Sequence, residues 1–152
     1  MAVIQLKTRI RAAPDAVFDL SRDIDFHQRS LAETGERAVA GRTTGLIEPG
    51  ESVTWNTRQL GRRWTMTSKV TEFDRPRRFV DEQVSGPFGS FRHEHVFEAS
   101  GPDTLMTDNW QHVAPLGVLG RLADALFLER MMRNLLLRRN AALLREVEAR
   151  AR

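Results

Sequence analysis

The chain contains no cysteine. That absence excludes disulfides, thiolate nucleophiles and zinc–thiolate sites, and it suits a reducing, cytoplasmic setting. No run of about 18 or more apolar residues is present, so no membrane-spanning helix is encoded. The start, Met1-Ala2-Val3-Ile4-Gln5-Leu6-Lys7, alternates like a strand and lacks the basic start and unbroken apolar stretch of a signal peptide. There is no GxGxxG after a strand, no GxxxxGK(S/T) and no GxSxG elbow. Serines such as Ser30 and Ser85 have no nucleophile context. Nucleotide hydrolysis and ester hydrolysis by a triad are therefore poor fits.

Charge of one sign is also scarce: 23 Lys and Arg against 20 Asp and Glu leave a formal net charge of +3. Arg138-Arg139, Arg145, Arg150 and Arg152 gather near the C-terminus. No aromatic residues interleave with them, as single-strand binding would require, so no nucleic-acid partner is expected. They read as a solvated face whose cations complement a helix C-terminus.

The 152 residues read as one domain, 1–152, able to bury more than half the surface its unfolded chain exposes. A first strand covers residues 2–11, apolar at Val3 and, after a phase change, at Leu6 and Ile10. Two short helices follow: one enters through Ala13-Pro14-Asp15, and the other runs from Ile24 to Leu31 with Asp23 as cap. Glycines and Pro49 punctuate a short strand with loops. Strands then span Ser52–Leu60 and Trp64–Phe73, joined by Gly61-Arg62-Arg63, and continue as Arg78–Val84, Ser90–Ala99 and Thr104–Val113. Tight turns at this spacing indicate an antiparallel meander.

One amphipathic helix, about Pro115 to Arg150, closes the chain. At 1.5 Å per residue it would reach on the order of 45–50 Å. Val118, Leu122, Ala125, Leu128, Met132, Leu135 and Leu136 form its apolar stripe, and Glu129, Arg130, Arg133, Arg138 and Arg145 would face water. Gly117 and Gly120 weaken its first turns, so that end is expected to be mobile or to lie near a ligand. A sheet curled round such a helix leaves a pocket between them.

The sharpest local signal is Phe91-Arg92-His93-Glu94-His95-Val96-Phe97. In a strand, Phe91, His93, His95 and Phe97 share one face, and that face is expected to point at the helix. Asp81 and Asp108 are candidate partners for the imidazoles. Trp55, Trp64 and Trp110 read as core or pocket lining; Trp64 shares strand parity with Met66, and Trp110 with Asp108 and His112. Both faces of the last strand carry apolar residues, so parity alone does not choose its inner face. His93, His95, Asp108 and His112 form the one plausible metal set. A hydrogen-bonded cluster explains them equally well, and neither metal nor cofactor is expected.

The order strand, two helices, meander, long helix resembles the helix-grip fold of the START-like (SRPBCC) superfamily, which includes Bet v 1-like proteins and polyketide cyclases. The stretches that carry it include Ile10 to Phe18, Gly45 to Trp55, Thr71 to Phe79, Gly86-Pro87-Phe88, Phe91 to Phe97, Thr104 to Asp108 and Ala114-Pro115-Leu116-Gly117. The resemblance implies an α+β fold, a curved antiparallel sheet wrapped round the C-terminal helix, with a deep pocket for hydrophobic molecules. With that pocket and no catalytic constellation, the leading expectation is a carrier or sensor, monomer or homodimer, that binds a small hydrophobic ligand of lipid, polyketide or aromatic type. The expected lining is Trp55, Trp64, Met66, Asp81, Phe91, His93, His95, Phe97, Asp108, Trp110, Leu128 and Met132. The alternative is a cyclase- or aromatase-like enzyme with His93 or His95 as acid–base group and Asp81 or Asp108 as orienter.

Overall fold

A computed structural model describes residues 1–59, 61–115, 117–123 and 127–150. Strand β1 (Ala2–Ile10) leads into α1 (Pro14–Ser21) and α2 (Ile24–Ser30), with a 3-10 turn at Ala32–Thr34. Strands β2 (Arg37–Gly41), β3 (Ser52–Gln59), β4 (Arg62–Asp74), β5 (Arg78–Ser85), β6 (Ser90–Ser100) and β7 (Asp103–Val113) follow. Helices α3 (Gly117–Ala123) and α4 (Glu129–Arg150) close the described chain.

The strands form one antiparallel sheet in the order β1-β7-β6-β5-β4-β3-β2. β2 to β7 are a meander, and α1 and α2 carry the chain from β1 at one edge to β2 at the other. Bulges between Ala38 and Ala40, Thr67 and Ser68, and Val70 and Glu72 interrupt the register. Each bulge adds local bend and twist, which curls the sheet into a trough. Gly41 sits at φ +72°, and a Cβ there would run into the Ser52 carbonyl, so this edge needs glycine.

Helix α4 lies across the concave face against β1, α1 and α2. Its buried stripe is Leu136, Arg139, Asn140, Leu143 and Val147. Three apolar clusters surround the trough. Ile10, Val17, Phe18, Phe79, Phe97, Met106 and Leu143 make one; Ile24, Val53, Trp55 and Val70 make the second; Ile4, Phe91, Trp110 and Leu136 make the third. Asp23 caps α2 as its position suggests, accepting from Phe26 N at 3.1 Å.

Several expectations change. The C-terminal helix is described in two parts, with a π turn at Phe127–Leu128 before the 22-residue α4. Val118 and Leu122 are 74% and 59% exposed, so the inward stripe does not reach back to them. Ala125 lies outside the described residues. Gly120 is explained by packing rather than by a ligand: a Cβ there would overlap the Pro115 carbonyl. Arg139, expected in water, is buried. In β1 there is no phase change: Ala2, Ile4 and Ile10 are buried and Val3 is exposed. Arg62 and Arg63 pair with Gln59 and Arg58, which moves them from the hairpin loop into β4.

Candidate functional site

Between the sheet and α4 lies a cavity of about 310 Å³. Its walls are mostly apolar: Ile24, Val53, Trp55, Met66, Val70, Phe88, Phe91, Trp110, Met132 and Leu136 all face it. Parity explains the sheet side. Trp64, Met66, Ser68 and Val70 alternate along β4 onto one face, and all four line the cavity. Leu128 and Leu135 line it from the helix side and are half-buried.

The polar wall is built by register. In β6, His93 stands opposite Asp81 on β5 and Trp110 on β7, and His95 stands opposite Phe79 and Asp108. Each imidazole nevertheless bonds the diagonal carboxylate, the next neighbour across an antiparallel pair. His93 Nε2 meets Asp108 Oδ1 at 2.8 Å, and His95 Nε2 meets Asp81 Oδ2 at 2.9 Å. The carboxylates are ionised and accept only, so each Nε2 carries the proton. His93 Nδ1 is then the free basic atom. His95 Nδ1 stands 3.4 Å from Asp108 Oδ1 and has no hydrogen bond. The two imidazoles lie close, with centroids 3.8 Å apart and planes tilted by 32°.

Asp108 itself is fully buried behind the imidazoles, outside the cavity lining. Asn140 Nδ2 donates to its Oδ2 at 2.7 Å, and Arg139 Nη1 lies 3.6 Å from Oδ1. Arg139 also donates to Ser21 O and Asn140 Oδ1, both at 3.2 Å. One carboxylate thus ties α4 to the sheet and orients the His93 imidazole. Arg139 and Asn140 were not anticipated. Their signal was periodicity: they fall between Leu136 and Leu143, in phase with the buried stripe.

Two expected lining residues lie elsewhere. Phe97 packs in the core on Phe18 and Phe79, and Asp108 acts from behind the wall. His112 is also apart from the cluster, where its Nδ1 accepts from Trp110 Nε1 at 2.8 Å. Among the described residues, the side chains close enough to share a metal are Asp81, His93 and His95, whose ligand atoms lie within 4.8 Å of one another. This replaces the set with Asp108 and His112. The imidazole–carboxylate hydrogen bonds and the neighbouring Arg139 cation suit a hydrogen-bonded cluster better than a divalent ion.

Burial and pairing set the charges. Burial would raise Asp108, but the His93 bond, the close His95 imidazole and the Arg139 charge overcome it and hold the carboxyl well below its usual range. Asp81 is lowered too, with burial opposed by the His95 bond. Burial and the neighbouring His95 lower His93 despite Asp108. Burial likewise disfavours His95⁺, but Asp108 and Asp81 together outweigh it and raise the value. The two imidazoles are pushed apart, one toward base and one toward acid.

A pH profile follows. The lowered Asp108 and Asp81 stabilise the fold above the unfolded carboxylate value near 4, and that contribution disappears as pH falls through their folded values. The raised His95 stabilises below about 6.5 and loses its contribution as pH rises through its folded value, whereas the lowered His93 works in the opposite sense. The imidazole effects oppose each other, so urea unfolding is expected to show its main loss of stability below about pH 4. A main loss between about pH 6 and 7 would contradict this balance.

A family model described as polyketide cyclase/dehydrase and lipid transport matches residues 1–148. The chain belongs to that family. Solved structures carry the same fold at low identity. A Thermus thermophilus protein aligns with TM-score 0.80 and 19% identity, over 99% of this chain and 100% of its own. The Zhui aromatase/cyclase from Streptomyces sp. R1128 aligns with TM-score 0.75 and 18% identity, over 99% and 96%. A START superfamily protein from Mycobacterium smegmatis gives TM-score 0.73 and 14% identity, over 97% of each chain. No curated protein sequence matches significantly. The polyketide cyclase/dehydrase and lipid transport family and these folds agree with the START-like resemblance and the helix-grip architecture.

Proposed function

We propose that the protein binds a small, largely apolar molecule between the sheet and α4, as a carrier or sensor without catalysis. The observation that carries this reading is the cavity of about 310 Å³, apolar over most of its wall, with a polar cluster on one side. That size is at the lower end for small-molecule sites, and few polar groups are what such sites use to orient a ligand. The polar cluster is held by its own hydrogen bonds, which suits recognition of a polar group. The basic end of α4 stays a solvated face in this reading, with Arg138 near Glu33 at 3.4 Å and Arg150 near Glu146 at 2.6 Å.

Native mass spectrometry of protein purified from its own cells is expected to show a bound organic molecule, and trans-stilbene is expected to bind the emptied protein. Met132 lines the cavity and is half-buried, so Met132→Trp is expected to fill it. Stilbene affinity should fall by at least about tenfold, with less than about 1 kcal/mol lost from stability. Unchanged affinity in that variant, or no bound molecule and no stilbene binding, would sink the proposal.

One observation favours a second reading, an aromatase- or cyclase-like enzyme: the lowered His93 with a free Nδ1 beside the raised His95. There His93 Nδ1 takes a proton from the substrate, and the His95–Asp81 pair supplies one. A polyketide synthase cluster around the gene would favour this reading, and an unrelated operon would favour the carrier.

A further inference from the structure

The cavity reaches a second polar station far from the imidazoles. Glu36 lies immediately before β2, and His27 on α2; both face the cavity, together with Trp55 and Thr57. The Glu36 side chain is only 9% exposed. His27 Nε2 stands 3.3 Å from Glu36 Oε2 but is not directed for a hydrogen bond, and Oε2 is buried with no hydrogen-bond partner. His27 packs against Trp55, with centroids 4.3 Å apart and planes tilted by 32°.

A buried carboxylate oxygen without a donor carries the full cost of its lost hydration. Native folds rarely leave one so, and the Glu36 side chain borders the cavity between sheet and α4. Neighbouring groups do not explain its position. Arg37 pairs with Asn56 in the β2–β3 register and is exposed, and among the described residues the side chain recorded in an ion-pair contact with Glu36 is the His27 imidazole. The lone pairs of a carboxyl oxygen accept from a donor. What fits is a donor on the molecule in the cavity.

The sheet order sets the distance between the stations. His93 and His95 are on β6, and Glu36 borders β2, four strands away. At about 4.8 Å per strand that is roughly 19 Å along the sheet, shortened across the trough by its curvature. Apolar and aromatic side chains fill the interval, among them Trp55, Met66 and Val70.

We infer that Glu36 is a second ligand anchor, and that it accepts a hydrogen bond from a hydroxyl at the far end of an elongated, ring-containing molecule whose other end meets His93 and His95. This rests on the binding function proposed above and specifies its ligand: apolar in the middle, with polar groups at both ends. A ligand with one polar group satisfies one station and leaves the other dry and unpaired. The pocket therefore selects for two.

Fluorescence titration with three probes tests this: trans-stilbene, its para-hydroxy derivative and its para,para′-dihydroxy derivative. The diol is expected to bind the wild-type protein at least about tenfold tighter than the mono-hydroxy compound. In Glu36→Leu that ratio should collapse to about twofold, the statistical factor, while trans-stilbene affinity stays within about twofold. Glu36→Gln keeps an acceptor and should retain part of the preference. Both variants should melt at or above the wild-type temperature, because an orphaned buried group has been removed. A drop of more than about 5 °C in both, with the diol preference intact, would make Glu36 a structural residue and overturn the inference. Equal binding of diol and mono-hydroxy probe by the wild type, or a ratio unchanged in Glu36→Leu, would overturn it while leaving the binding function standing. Failure of all three probes to bind the wild type would remove both.

Discussion

Replacing Asp108 with alanine is expected to lower the unfolding free energy by about 3–5 kcal/mol, the range for breaking a buried ion pair from one side. Asp108 is 0% exposed and serves three side chains on two elements: His93 on β6 at 2.8 Å, and Asn140 at 2.7 Å and Arg139 at 3.6 Å on α4. Alanine leaves a buried guanidinium without its carboxylate and an imidazole N–H without its acceptor. Two hydrogen bonds from Arg139 to Ser21 and Asn140 remain, but neither partner carries charge. Urea denaturation with the slope held free is the measurement. A loss below about 1 kcal/mol would mean that the charge is screened and that the network is decorative. Asp108→Leu combined with Arg139→Met gives the complementary result. Removing both charges should recover much of the loss, so the two changes should couple by at least about 1 kcal/mol. The same variants should change ligand affinity, because His93 would lose the bond that fixes its tautomer.

The strand pattern showed most of the fold. Turn residues mark the ends of β5, β6 and β7 within one or two positions, and the alternation of Phe91, His93 and His95 told which face is buried. Period-2 alternation gives a face, though, and not a position along the trough. Phe97 shares the face of His95, but β6 has by then passed the cavity and entered the core against Phe18. The error in β1 has a similar origin. Val3 and Ile4 are equally apolar, and only pairing of Ile4 with Trp110 on β7 decides which one is inside. Arg139 was misread because a lone arginine in an arginine-rich helix looks solvated. Its burial depends on a carboxylate 31 positions earlier in the chain, across a contact that no local window contains. Glu36 and His27 were missed for the same reason. Their meeting depends on how α2 lies against the far edge of the sheet.

Phe18→Ala is expected to cost about 3–5 kcal/mol and to weaken ligand binding although Phe18 does not line the cavity. Phe18 is fully buried on α1, with its ring edge-on to Phe73, Phe79 and Phe97, each at 5.3 Å between centroids. Those pairs add to the area buried, about 0.5–1.5 kcal/mol each beyond it. The effect should reach the site through Phe79, which stacks on His95 at 4.1 Å with the planes 16° apart. With Phe18 gone, Phe79 can settle toward the vacated space, and His95 loses the plate that holds its ring on the diagonal bond to Asp81. Phe88→Ala is the control. Phe88 is half-buried and lines the cavity directly, so its removal should reduce affinity but cost only about 1 kcal/mol of stability. If Phe18→Ala loses its stability but binds para-hydroxystilbene and trans-stilbene with unchanged relative affinity, the Phe79 stack does not position His95. If the relative affinity falls while trans-stilbene alone is unaffected, the imidazole has moved and the apolar walls have not, as the stacking geometry requires.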